Sequence, residues 1–133
     1  MSDTCWLNMT FVKEDLPKFK TVLQHRMYDG KFWDEEDSDA ETMDVIIYDA
    51  NYGWCDEIAS LADAGLTFTV SHGAGGEYGP RNYVCYKGNL VGCDADFEGT
   101  PVVQVSKEGV DKKSLDNCMK YYEVLKKIVA NRG

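Results

Sequence analysis

The chain has 133 residues and a mass of 15.0 kDa, with 44% hydrophobic and 28% charged residues. This composition predicts a single domain over residues 1–133, long enough to fold on a hydrophobic core without disulfides or a metal ion. Acidic residues number 23 and lysines plus arginines 14, so the net charge is −9 and the pI is near 4.6. Nucleic-acid phosphates and anionic membrane surfaces repel such a chain. We therefore expect a basic protein as partner, and neither nucleic acid nor membrane.

Two further features indicate the cellular setting. The sequence has no apolar run near the ~18–20 residues of a membrane span, and its N-terminal residues lack the basic and apolar regions of a secretion signal. The five cysteines form an odd set without a CxxC pair, which is typical of free thiols in a reducing compartment. We expect a cytoplasmic protein in which Cys85 and Cys118 are buried as small apolar side chains.

The first half of the chain predicts alternating strands and helices. Residues 4–12 (TCWLNMTFV) are rich in aromatic and β-branched side chains and predict a strand. A helix follows Asp15, because apolar residues between 16 and 27 recur at helical spacing. Residues 45–48 (VIIY) predict a short buried strand. Residues 51–65 contain a second helix, which ends at Gly65.

The second half predicts a group of strands and one long helix. Residues 66–71 (LTFTVS) alternate as a half-buried strand, and residues 81–87 and 90–93 predict a hairpin. Residues 101–106 (PVVQVS) predict another strand. The C-terminal helix starts at Asp111 or Ser114, and its predicted buried face consists of Leu115, Cys118, Met119, Tyr122, Leu125 and Val129.

This order of elements, β-α-β-α-β-β-β-β-α, predicts an α+β sandwich. We expect one mixed or antiparallel sheet with about three helices packed mainly on one face. Short connections favour antiparallel neighbours among the later strands, whereas the first β-α-β step can join parallel strands. A ferredoxin-like arrangement is one candidate.

A glycine-rich stretch (GAGGEYGP) follows His72 and superficially resembles a phosphate-binding loop. Its glycines fit neither common phosphate-loop pattern, and it precedes a strand, whereas phosphates bind at the N-terminus of a helix. The stretch therefore predicts a strand–strand loop whose glycines adopt positive φ.

The segment DADFEG resembles the first half of a calcium loop, with carboxylates at Asp94, Asp96 and Glu98. The motif needs a glutamate at its twelfth position, where this chain has Val105. We expect a plain acidic turn here. No zinc pattern or cofactor motif is present, so we expect neither a metal nor a cofactor.

The acidic stretch in residues 29–44 has the clearest physical meaning. These residues hold eight acids against Lys31 alone, within a middle segment (29–98) of net charge −13. Like charges repel, so the fold gains nothing from them. A dense carboxylate surface can imitate the phosphate field of DNA and speed encounter with a basic partner. The predicted partner-binding carboxylates are Asp34, Glu35, Glu36, Asp37, Asp39 and Glu41; the alternative is a solvated loop that only aids solubility.

Aromatic residues in or beside loops add to this surface, because Trp and Tyr often anchor interfaces. The predicted contacts are Trp33, Tyr52, Trp54 and Tyr78. The segment ANYGWCDEIASLADAGLTF…HGAGGEYGP resembles small uncharacterised proteins of bacterial plasmids and phages. The whole chain is similar in character to anti-restriction and anti-CRISPR inhibitors. This resemblance implies a host-defence antagonist.

Three functional hypotheses remain open from the sequence. The first is a non-enzymatic inhibitor that binds a basic, nucleic-acid-handling protein through its acidic surface. The second is a toxin-immunity protein, also small and acidic. The third is an enzyme that uses His72 beside the glycine-rich loop; without a catalytic motif, we expect the chain not to be an enzyme.

Overall fold

The computed structural model describes residues 4–23 and 41–130, and it contains one five-stranded antiparallel sheet. Its spatial order is β2-β1-β3-β4-β5, so the first strand lies between the second and the third. The strands are β1 (Thr4–Val12), β2 (Thr42–Asn51), β3 (Phe68–His72), β4 (Arg81–Tyr86) and β5 (Asn89–Asp94). A small hairpin of β6 (Val105–Ser106) and β7 (Gly109–Val110) follows.

Within the described residues, three α-helices accompany the sheet. A 3₁₀ turn (Lys13–Asp15) leads into α1 (Leu16–Leu23). α2 (Cys55–Asp63) ends where Gly65 adopts φ 78° and its N–H donates to the carbonyl of Ala62, the stop that the sequence predicts. α3 (Lys112–Ala130) is the longest helix.

The main core fills one face of the sheet, beneath α1 and α2. Every second residue of β1 points into it, because side chains alternate between the two faces of a strand. Phe19 of α1 stacks on Phe11 with ring centroids 4.0 Å apart and meets the edge of Phe68 at 6.0 Å. All three rings are fully buried, so they join β1, α1 and β3 into one unit.

The opposite face carries a smaller core beneath α3. Val124 and Ile128 pack there on Val84, and half-buried residues of β4, β5 and the helix itself pack against these three. α3 packs on β4 and β5, and within residues 4–23 and 41–130 the same face of β1 and β2 keeps large apolar side chains exposed. Trp6 there is 44% exposed and Ile46 50% exposed.

The architecture confirms the predicted single-domain α+β fold but corrects its details. The expectation of a parallel first β-α-β step is wrong, since β1 and β2 are antiparallel, with Val12 opposite Thr42. The chain therefore leaves β1 and enters β2 at the same end of the sheet. A ferredoxin-like arrangement, which depends on β-α-β units between parallel strands, does not apply. Of the helices that the structure describes, α1 and α2 share one face of the sheet and α3 lies on the other.

The predicted strand over residues 101–106 is also wrong. Pro101 makes an isolated bridge to Ala95, Val102 donates one backbone hydrogen bond to Asp94, and regular pairing resumes only in β6. Proline lacks the N–H that a ladder needs, so this stretch cannot extend the sheet beyond β5.

The predicted buried face of α3 is wrong for four of its six residues. Cys118 is buried as expected and Leu125 is half-buried, but the helix turns Val124 and Ile128 inward as well. Four predicted core residues are instead 41–58% exposed: Leu115, Met119, Tyr122 and Val129. α3 has two apolar stripes about a quarter turn apart, and periodicity alone cannot tell which one meets the sheet.

Candidate partner-binding surface

The acidic stretch enters the described structure at Glu41. The backbone N–H of Lys13 donates to the carbonyl of Glu41 at 2.8 Å, which fixes this point beside the start of the edge strand β2. The Glu41 side chain is exposed. The other predicted contacts of this stretch lie outside the described residues: Trp33, Asp34, Glu35, Glu36, Asp37 and Asp39.

The acidic character continues well beyond Glu41. Residues 41–80 contain seven acids and no lysine or arginine. In α2, Asp56 and Glu57 occupy the first turn, where the helix dipole favours negative charge. Among the side chains that the structure describes in this span, the exposed carboxylates are Glu41, Asp44, Asp56, Asp63 and Glu77. The negative charge is therefore a property of the folded surface as well as of the acidic stretch.

The predicted aromatic contacts have different environments. Tyr52 is 48% exposed, and its ring centroid lies 6.4 Å from that of half-buried Tyr78. Trp54 is only 8% exposed and belongs to the main core. The expectation that Trp54 offers a surface contact is thus wrong, because its side chain is buried at the start of α2, where its backbone is left-handed.

The structure does not bring Glu41 and the tyrosine pair together. Glu41 precedes the first residue of β2 and Tyr52 follows its last. A strand of 10 residues at ~3.3 Å per residue separates them by about 30 Å. A surface that uses both would have to extend along the whole edge strand.

A left-handed turn precedes α2, and sequence reasoning did not foresee it. Tyr52, Gly53 and Trp54 have φ values of 52°, 64° and 60°. The left-handed backbone conformation costs Tyr52 and Trp54 roughly 1–2 kcal/mol each. The signal in the sequence was Asn-Tyr-Gly before a helix, since Gly marks backbone positions of this kind. A methyl group on Gly53 would lie 2.8 Å from His72 Nε2, so the turn packs directly on that imidazole.

His72 is a buried histidine at the end of β3, only 3% exposed. Its Nδ1 lies 2.7 Å from the Gly73 carbonyl oxygen and donates to it. The Tyr78 ring meets the imidazole edge-on at 5.7 Å, and Tyr83 lies 6.0 Å away. Burial lowers the pKa of His72; the Gly73 hydrogen bond opposes this, and the Arg81 charge adds to it. The lowered pKa favours the neutral form of the buried ring.

The glycine-rich loop joins β3 to β4, as predicted, but its glycines are not needed for the reason that the sequence suggested. The expectation of positive φ is wrong, since the left-handed glycines in residues 4–23 and 41–130 all lie outside this loop. Gly73 is needed for space: a Cβ there would lie 2.3 Å from Trp6 Nε1. Gly73 also donates its N–H to the Trp6 carbonyl at 3.0 Å, which ties the loop to β1.

The DADFEG segment is an acidic turn in which both aspartates accept hydrogen bonds from the protein. Asp94 accepts from Arg81 at 2.9 Å and from Gln104 at 3.1 Å. Asp96 Oδ1 accepts the backbone N–H groups of Glu98 and Thr100, both at 2.9 Å. These contacts explain the two aspartates as structural residues.

The cysteines are free thiols, and Cys85 and Cys118 are buried as predicted. Burial, assisted by the neighbouring Cys118, raises the pKa of Cys93 to about 12. Burial also raises the pKa of Cys85. Buried thiols of high pKa are poor nucleophiles. Cys55 is exposed.

Comparison with known proteins returns no relative. No protein-family model matches the chain, no curated protein matches it, and no solved structure matches its fold. Across residues 4–23 and 41–130, none of the helices has the length and apolar character needed to cross a membrane.

Proposed function

We propose that this protein is a small acidic binding protein that inhibits a basic, nucleic-acid-handling protein by presenting carboxylates in place of phosphates. The observation that carries the proposal is the exposed acidic surface. Residues 41–80 hold seven acids without a single lysine or arginine, and this span begins where the acidic stretch meets β2. The protein acts by binding, as the host-defence antagonists that it resembles do.

Physical chemistry supports this role for the acidic surface. Clustered carboxylates repel one another and cost stability, so their concentration in one half of the chain needs a reason outside the fold. Basic partners supply that reason, because complementary charge accelerates encounter and selects the partner. The enclosed packing of His72 and the protein donors on Asp94 and Asp96 explain the other candidate residues structurally.

The test is capture of partners by three tagged forms of the chain. The first is the wild type. The second neutralises the acidic stretch by the substitutions D34N, E35Q, E36Q, D37N, D39N and E41Q. The third is a matched control that removes six exposed acids elsewhere by the substitutions E14Q, E98Q, E108Q, D111N, D116N and E123Q.

The wild type and the control variant should both retain one nucleic-acid-binding protein, and the stretch variant should lose it. Duplex DNA should displace the wild-type chain from the purified partner. Equal capture by all three forms would contradict the proposal, because total charge or another surface would then be responsible. Capture of a small toxin would favour immunity function instead.

A further inference from the structure

The outer side of the edge strand β2 has backbone groups that face away from the sheet. The N–H of Lys13 donates to the Glu41 carbonyl at 2.8 Å, so these two residues form a hydrogen-bonded pair in register with the β1–β2 ladder. Hydrogen-bonded and non-hydrogen-bonded pairs alternate along an antiparallel ladder. Thr42, Asp44 and Ile46 therefore direct their N–H and C=O groups away from β1, and within the described residues β2 pairs with β1 alone.

The other edge of the sheet is better protected. β5 has six residues, and beside its end Val102 donates its N–H to the Asp94 carbonyl while Pro101 forms a bridge to Ala95. β2 has 10 residues and contains neither lysine nor proline, which are the residues that commonly protect an exposed edge. A long unprotected edge is a template on which another extended segment can pair. β2 is therefore the edge of this sheet that can accept an added strand.

Charge selects which strand can pair with β2. Residues 42–51 contain two aspartates and no lysine or arginine, and Glu41 just before them is exposed. Asp44 is also exposed, and its carboxylate accepts a hydrogen bond from the hydroxyl of Thr10, which fixes its position. Opposite charges stabilise a pair of strands, whereas like charges directly opposite one another destabilise it. A second copy of β2 would bring aspartates together, so charge favours a strand that contains lysine or arginine.

The two faces of β2 determine the side-chain pattern of that strand. Met43, Val45 and Ile47 point into the main core, whereas Asp44 and Ile46 are exposed on the opposite face. Side chains of an added strand alternate between the same two faces. Basic residues would lie on the face of Asp44, where the aliphatic part of a lysine can cover Ile46. Apolar residues between them would lie beside the rim of the main core.

We infer that the outer edge of β2 binds an extended segment of the partner as a sixth strand, in which lysine or arginine alternates with apolar residues. This assignment rests on the proposed function, because it takes the partner to be a basic protein. The site differs from the acidic stretch, since it consists of the β2 backbone and the Asp44 carboxylate.

Amide hydrogen exchange of the full chain, followed by NMR, tests the added strand. The probe is a short synthetic peptide in which lysine and valine alternate. In the free chain, the amides of Asp44 and Ile46 should exchange much faster than those of Val45 and Ile47, which donate to β1. Saturating peptide should slow the Asp44 and Ile46 amides at least tenfold, because they then donate to the peptide. Slow exchange of both amides in the free chain, or unchanged exchange with peptide, would overturn the inference.

N-methylated peptides test the pairing of the backbones. Methyl groups on the lysine backbone nitrogens remove the N–H groups that would face β2, so binding should be lost. Methyl groups on the valine backbone nitrogens would face away from β2, so binding should remain. Equal binding of the two peptides would overturn the inference, because charge alone would then hold the peptide.

Substitution of Asp44 tests the role of its charge. Asp44→Asn retains an acceptor for Thr10 and should weaken peptide binding about two- to fivefold, the effect of one cross-strand ion pair. Asp111→Asn, the same change at an exposed acid just before α3, should leave the affinity unchanged. Equal affinities for the wild type and Asp44→Asn would overturn the assignment of this carboxylate.

The inference and the proposed function can fail separately. A chain that binds the peptide at β2 but captures no nucleic-acid-binding protein would contradict the proposed function alone. A chain that captures such a protein, while its Asp44 and Ile46 amides are unaffected by the peptide, would contradict the inference alone.

Discussion

The two faces of the sheet differ in how completely one chain covers them. On the α1–α2 face, Phe11, Phe19 and Phe68 are fully buried and packed ring against ring. On the other face, α3 packs on β4 and β5, and within the described residues Trp6 of β1 and Ile46 of β2 are about half exposed. The difference teaches that the first face maintains the fold, whereas the second keeps large apolar side chains exposed on β1 and β2.

One substitution on each face of the sheet should give the largest difference in the free energy of unfolding. Phe68→Ala should lower the free energy of unfolding by about 3–5 kcal/mol, because it leaves a cavity beside Phe19. Ile46→Ala, on the other face, should cost less than about 1 kcal/mol, because the side chain is half exposed. Urea unfolding at low protein concentration measures both. Similar losses for the two variants would show that the faces are equally important for folding.

Two glycine substitutions test how much the contact between Gly53 and His72 contributes to stability. Gly53→Ala combines φ 64° with a Cβ 2.8 Å from His72 Nε2, so we expect a loss of about 2–3 kcal/mol. Gly65→Ala has φ 78° but open space around the new methyl group, so it should cost about 1 kcal/mol. Thermal unfolding compares them. If both substitutions cost the same, the contact between Gly53 and His72 has no energetic role.

The buried imidazole of His72 should have a smaller effect, which is a dependence of the free energy of unfolding on pH. Burial lowers the pKa of His72 in the folded state, so below pH ~6.5 the unfolded chain binds more protons. Stability should therefore fall between about pH 6.5 and 5, by at most ~1.4 kcal/mol per pH unit. Denaturant titrations of the wild type and of His25→Gln, which retains His72, should show this fall. A flat profile in both would contradict the burial of a neutral His72.

The sequence predicted most of the fold because the patterns are strong where one face is buried. β1 was predicted residue for residue, and Gly65 ended α2 as expected. Three features depend on tertiary contacts that periodicity does not encode: the antiparallel β1–β2 pairing, the loss of pairing at Pro101, and the choice between the two apolar stripes of α3.

The candidate site was less predictable than the fold. Composition located the acidic surface, but it could not show that Tyr52 lies at the far end of β2 from Glu41. Nor could it place Trp54 in the core, since that position results from a left-handed backbone that few residues adopt. The enclosure of His72 by Gly53, Tyr78 and Tyr83 joins residues from three separate segments.

The most direct test of the proposed function is the salt dependence of the purified complex. Isothermal titration of the wild-type chain into its captured partner should show at least tenfold weaker binding at high salt than at low salt, because salt screens exposed charges. The variant with the neutralised acidic stretch should bind weakly at both salt concentrations. Equal affinity at low and high salt would contradict the claim that carboxylates replace phosphates in this interface.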